Sequence, residues 1–232
     1  PQRKVYEEGI FGYNYNLNIY SLNAWVVNQY HSRYWDYYYG MKLTYTSFQR
    51  DGKMRNGRYP DSSFGKGARH QFTDLMVKGG LTYKFNGRHM INANISYGSE
   101  APLPNEAYVS PRITDRTIDD MKSGRVLSAD INYIFSTPHL AGRIGVFQTN
   151  FYDQMERSSY YDGIEGTFIN HVLYGVNRIH RGIELGATYK LDDHWSFDLA
   201  GTVGEYYYSN NPDGIKNSEN GKIVEREQVY KI

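Results

Sequence analysis

Between Gln71 and Tyr97, apolar and polar residues alternate on both sides of the pair Asn86-Gly87. Leu75, Val77, Gly79, Leu81, Tyr83 and Phe85 fall on one face, and Asp74, Met76, Lys78, Gly80, Thr82 and Lys84 on the other. Beyond the pair, Ile91, Ala93, Ile95 and Tyr97 alternate with Asn92, Asn94 and Ser96. Strand side chains point to opposite faces with period two, so this segment predicts a β-hairpin with one oily and one wet side. Asn-Gly favours a type I′ turn between the two strands.

The same pattern recurs along the chain. Strands are predicted near residues 21–30, 34–48, 71–85, 88–98, 122–135, 141–153, 178–191 and 194–208. Short turns near 32, 87, 138 and 193 join them in pairs, roughly every 50 to 55 residues and without the sequence identity of a solenoid or propeller repeat. One strand is ambiguous in phase: Ile144 and Val146 compete with Phe147 and Phe151 for the oily face. Long polar connections are expected over about Gln49 to Arg69, Gly98 to Met121, Asp153 to Asn177, and from Ser209 onward.

This arrangement predicts an all-β fold, an antiparallel transmembrane β-barrel segment of eight or nine strands whose short turns alternate with long loops. Compact soluble domains rarely carry several structureless loops of ~20 residues. A strand of about 13 residues at ~3.3 Å each, tilted by about 40°, more than covers the ~25 Å apolar band of a membrane barrel. Trp35, Tyr37, Tyr97, Tyr133, Phe135, Tyr189, Trp195 and Tyr206 sit near strand ends, where interfacial girdles belong. Two other architectures answer the same alternation. A soluble sandwich would press oily faces together, but its strands average only ~5 to 6 residues. A closed eight-stranded barrel would fill its lumen with side chains and pass nothing bulky.

Composition removes further classes. Tyrosine supplies 24 of 232 residues and aromatics 16%, yet the mean hydropathy is −0.69. No run approaches the roughly 18 apolar residues of a spanning helix. A net charge of +1 gives no basic footprint for nucleic acid. Cysteine is absent, which suits an exposed compartment without a disulfide framework. Residues 1–20 lack the basic and apolar regions of a signal peptide, so an exported protein would have its beginning elsewhere. No phosphate-binding glycine loop, His-Glu-x-x-His or Gly-x-Ser-x-Gly is present and the seven histidines are scattered, so no enzyme, catalytic residue, metal site or cofactor is predicted. Asn210 to Gly221 lacks the ordered oxygen ligands of a calcium loop and reads as a turn-rich surface loop.

Ligand contacts are expected on the long loops, since binding residues concentrate on loops carried by a rigid scaffold. Tyr108, Tyr160, Tyr161 and Tyr174, with Phe168 and Tyr206 to Tyr208, offer flat amphipathic surfaces for sugar rings or aromatic chelates. Arg55, Arg58 and Arg112, with Arg116, offer bidentate donors for carboxylate or phosphate. The plainer roles are loop packing or girdle for the tyrosines and a solvated surface for the arginines. On the wet face, Asp74, Lys78, Lys84, Asp130, Asn132, Glu184, Lys190 and Asp198 would line a lumen of mixed charge.

Several short runs carry a resemblance: Gly52-Lys53-Met54-Arg55-Asn56-Gly57-Arg58-Tyr59-Pro60-Asp61, Gly79-Gly80-Leu81-Thr82-Tyr83-Lys84, Ala101-Pro102, Ser110-Pro111-Arg112 and His180-Arg181-Gly182-Ile183-Glu184-Leu185. Over nearly its whole length the chain resembles the C-terminal barrel portion of Bacteroidota TonB-dependent outer-membrane receptors, the SusC-like and carboxypeptidase-regulatory-like group. The resemblance implies a barrel of about 22 strands closed by an N-terminal plug. It implies residence in outer-membrane lipid and import of a siderophore, vitamin, glycan or peptide with energy delivered through TonB. For SusC-like members it implies a SusD-like surface lipoprotein partner. Residues 1–232 then read as a partial outer-membrane barrel, with the plug domain and the TonB-contacting N-terminal region absent from this chain and no terminal aromatic at Glu227 to Ile232. The rival from another class is a non-transport surface barrel, an adhesin or structural protein that binds a partner through its loops.

Overall fold

The computed structural model describes residues 12–220, 222 and the backbone of 224–228. Residues 1–11 of the segment read for a leader, and the chain end Val229 to Ile232, lie outside the described residues. Eight antiparallel strands follow in order: β1 (Tyr15–His31), β2 (Trp35–Gly52), β3 (Gly65–Lys84), β4 (His89–Glu100), β5 (Gly124–Ser136), β6 (Leu140–Asp162), β7 (Thr167–Lys190) and β8 (Ser196–Tyr208). Each pairs with its sequence neighbour, and two short strands, β9 (Asp213–Ser218) and β10 (Val224–Gln228), extend the sheet beside β7. A single helical turn, α1 (Pro104–Ala107), interrupts the connection from β4 to β5. Among the described residues, β1 and β8 each pair on one side only.

The register explains why the alternation survives folding. One rung runs Tyr30, Tyr37, Leu81, Ala93, Ile131, Val146, Ile183, Val203, one residue from each of β1 to β8. The next residues give His31, Asp36, Thr82, Asn92, Asn132, Gly145, Glu184, Thr202. Residues opposite one another share a face, so the first rung is wholly apolar and the second wholly polar or glycine. The seven large residues of the apolar rung are between 43% and 80% exposed, so no part of the described chain covers that face. Ile144 and Val146 lie with it, while Phe147 and Phe151 turn to the wet face, which fixes the phase of β6.

Aromatics gather at the short-turn end. Trp35 meets Tyr83 with ring centroids 4.5 Å apart, Tyr83 meets Phe85 at 4.9 Å, and Tyr30 stacks on Tyr37 at 5.0 Å. The turn at Asn86-Gly87 exists but is not type I′, because neither residue has a positive φ. Instead, Asn86 Oδ1 accepts the N–H of Arg88 at 2.8 Å and of His89 at 3.0 Å, so the side chain closes a longer Asx turn.

Strand runs into three of the four expected long loops and makes up most of one. β2 and β3 extend to leave only residues 53–64 between them, and Asp213–Ser218 is β9, not a surface loop. The expected loop Asp153 to Asn177 is the upper part of a long hairpin, β6 having 23 residues and β7 24. Irregular pairing between Phe151 and Glu156 and positive φ at Asp153 (55°) and Gly175 (67°) mark where it leaves the eight-stranded wall. Above that point β9 replaces β8 as the partner of β7. Residues 154–177 lack a continuous oily face, yet most of their backbone is paired, and backbone pairing leaves no trace in polarity.

Candidate functional site

The wet face carries a connected set of polar side chains. Tyr38 donates its hydroxyl to Asn94 Oδ1 at 3.1 Å, and Asn94 and Asn132 donate to Asp130 Oδ2 at 2.8 and 2.6 Å. Asn92 donates to Thr82 at 2.9 Å, Lys84 pairs with Asp36 at 2.6 Å, and Arg143 pairs with Glu184 at 3.0 Å. Neighbouring strands hold these groups within reach because the wet positions are in register. The wall is therefore hydrophilic and largely self-satisfied.

At its long-loop end, residues 101–123 fold back over this wall. Pro102 and Pro104 bracket Leu103 and end strand pairing, since proline brings no N–H to a ladder. The tip closes through Val109 N–H to Arg116 O and through the N–H groups of Ile113 and Thr114 to Ser110 O, each at 3.0 Å. Phe48, Ala107 and Tyr108 form one buried cluster, and Val109, Ile118, Met155, Val172 and Ile215 another. Arg50, only 1% exposed, is the central fastener. Its Nε donates to Pro111 O at 2.7 Å, its Nη1 donates to Ser63 O at 3.0 Å, and its backbone N–H donates to the Tyr108 hydroxyl at 2.9 Å. Asn170 of β7 reaches Ser110 Oγ at 2.8 Å and itself accepts from Arg157 at 2.9 Å.

Two hollows of mixed polar and apolar lining lie under this folded loop and share Glu100 to Leu103 as a common wall. The first, about 290 Å³, is bounded by Asn23, Lys42, Thr44, Asp74, Met76 and Ser99. The second, about 400 Å³, is bounded by Glu106, Asp153, Gln154, Glu156, Arg178 and Tyr208. Arg178 pairs with Glu156 at 2.9 Å, and Tyr208 donates to the same carboxylate at 2.8 Å. Burial raises the Glu106 carboxyl above its ordinary range, the nearby Glu156 charge adds to the rise, and Arg178 opposes it.

The residues singled out from the sequence are dispersed. Tyr108 is 1% exposed and packed against Phe48 and His70, so it builds the loop core and has no surface to offer a ligand. Burial also pushes its hydroxyl pKa upward. Arg112 pairs with Glu219 at 2.7 Å and lies over the Phe168 ring at 4.8 Å, and Arg58 reaches Glu219 O at 3.2 Å. These arginines tie residues 53–64, the folded loop, β7 and the end of β9 together. Arg55 is exposed, with its guanidinium 5.4 Å from the Phe64 ring. Tyr160 and Tyr161 stand exposed near the tip of the β6–β7 hairpin. Tyr174 packs against the Val109 cluster, with its hydroxyl enclosed and without a hydrogen-bond partner among the described residues. None of the seven bounds either of the two hollows. Glu106, Glu156 and Arg178 were missed because a lone helical turn and the irregularly paired stretch of β6 and β7 carry no facing signal in the sequence.

A comparison with curated proteins returned no match. The family model described as TonB dependent receptor-like, beta-barrel, matches residues 4–226, almost the whole chain. Its span takes in all eight wall strands, the apolar face, the polar wall and the folded loop. The chain belongs to the TonB-dependent receptor β-barrel family.

Proposed function

We propose that this chain forms part of the wall of an outer-membrane receptor of the SusC-like Bacteroidota type, which imports a glycan, peptide or siderophore with energy delivered through TonB. The observation that carries the reading is the pair of adjacent rungs, one apolar and bare across all eight strands and one polar across the same strands. Such a sheet is stable with hydrocarbon on one side and water on the other. The open edges of β1 and β8 support further strands beside them, because lipid offers no partner for unpaired backbone groups. In this reading residues 1–232 are a partial barrel, the lumen takes a plug, and a SusD-like lipoprotein covers the long-loop end. In the same reading Arg55, Tyr160 and Tyr161 meet that lipoprotein or an arriving ligand, which their exposure supports.

The test is uptake of labelled nutrients by cells carrying the full receptor, with TonB intact and with TonB deleted. Import that requires both the receptor and TonB is expected. Surface binding without any TonB-dependent import would favour the adhesin or structural barrel instead.

A further inference from the structure

We propose that the first hollow beneath the folded loop, continuous at Glu100 to Leu103 with the second, is a subsite for a positively charged amine on the imported ligand, seated against Asp74 with Glu100 on its wall; the inference rests on reading the wet face as a receptor lumen. Asp74 is 3% exposed. Its Oδ1 accepts the Ser99 hydroxyl at 2.7 Å, while its Oδ2 is enclosed and has no donor among the described residues. Its partner across the ladder, Thr44, spends its hydroxyl on Asn23 Oδ1 at 2.8 Å. A buried carboxylate oxygen without a donor is costly, and a charged donor recovers more of that cost than a neutral hydroxyl.

The charge around it has the same sign. Asp74, Glu100, Glu106, Asp153 and Glu156 bound the two hollows, against Lys42 and Arg178. Glu156 is engaged by Arg178 at 2.9 Å and Asp153 by Arg125 at 2.6 Å, which leaves Asp74, Glu100 and Glu106 against Lys42. At about 290 and 400 Å³ the hollows lie at the lower end of the range for small-molecule sites, room for a ligand moiety that carries the amine rather than for a whole oligomer. A hard metal ion would need six or more converging oxygens, and no group of three His, Asp or Glu stands close enough to hold one among the described residues. Glu106, on the second hollow, has its carboxyl pKa raised first by burial and then by the Glu156 charge.

The test is calorimetric titration of the full receptor in detergent with three probes: lysyl-lysine, glutamyl-glutamate and maltotriose. The wild type is expected to bind lysyl-lysine at least about tenfold more tightly than the other two, with an affinity that falls as salt rises. Asp74→Asn keeps the side-chain shape and should weaken that binding about tenfold, as should Glu100→Gln at an exposed side chain. If Asp74→Asn fails to fold, Glu100→Gln decides alone. Absence of lysyl-lysine binding, equal binding of the three probes, or unchanged affinity in the folded variants would overturn the inference. TonB-dependent import of a neutral glycan that both variants leave intact would sink the subsite and spare the receptor function. Loss of all TonB dependence would sink the receptor function itself.

Discussion

Replacing Arg50 with methionine should release the folded loop while leaving the wall in place. Methionine fills much of the same volume but offers no donor, so the carbonyls of Pro111 and Ser63 lose the bonds now made at 2.7 and 3.0 Å. Hydrogen bonds from a charged donor contribute about 1.5 to 3 kcal/mol each, and removing the buried guanidinium returns part of that through its desolvation, leaving a net loss of about 2 to 4 kcal/mol. The third contact, from the backbone N–H of residue 50 to Tyr108, survives the substitution. Hydrogen exchange read by mass spectrometry on the full receptor in detergent reports the effect through the amides of Val109, Ile113 and Thr114, which are bonded within the loop tip. Their protection should fall by about 30- to 700-fold, taking about 1.4 kcal/mol per factor of ten. Amides of the β3–β4 hairpin should not change. Unchanged protection at the tip, or equal loss throughout the sheet, would refute the role given to Arg50.

Two further outcomes follow from the same geometry. Leu81→Arg, on the apolar face, should cost about 2 to 4 kcal/mol in a lipid-vesicle folding titration, whereas Thr82→Arg, one residue on and facing the polar wall, should cost much less; equal costs would reject the facing. For Glu106 the sign is set by its raised pKa: the folded loop binds the proton more tightly than the unfolded chain, so this group's contribution is complete below its ordinary value of 4.5 and is lost as pH rises through the higher folded value. The groups facing it are Glu156, Asp153, Glu100, Arg178 and Tyr208. Glu106→Gln should therefore flatten the decline in loop protection with pH above about 4.5, and an unchanged profile would contradict the assignment.

The alternation of Leu75 to Phe85 and its counterparts was legible because a period of two needs no long-range information, and one rung after another keeps it. The hairpin at Asn86 was legible as a turn, but its type was not, because the asparagine side chain supplies the closing acceptor. The upper hairpin of β6 and β7 was hidden, since residues 154–177 are joined mainly through their backbone and bury their apolar residues against a loop far away in sequence. Tyr108 was visible as an unusual loop aromatic, but its partner Arg50 lies 58 residues away and no spacing rule connects them. The inward position of Asp74 followed from parity; its burial under Ser99 and the loop did not.

The central claim is that one face of this sheet meets lipid and the other meets water. Nitroxide labels placed singly at residues 75–84 of the full receptor in bilayers test it most directly, read by collision with oxygen and with a water-soluble nickel chelate. The account predicts oxygen-accessible labels at Leu75, Val77, Leu81 and Tyr83, in alternation with chelate-accessible or protein-shielded ones at Met76, Lys78, Thr82 and Lys84. Alternation in the opposite phase, or none at all, would contradict it.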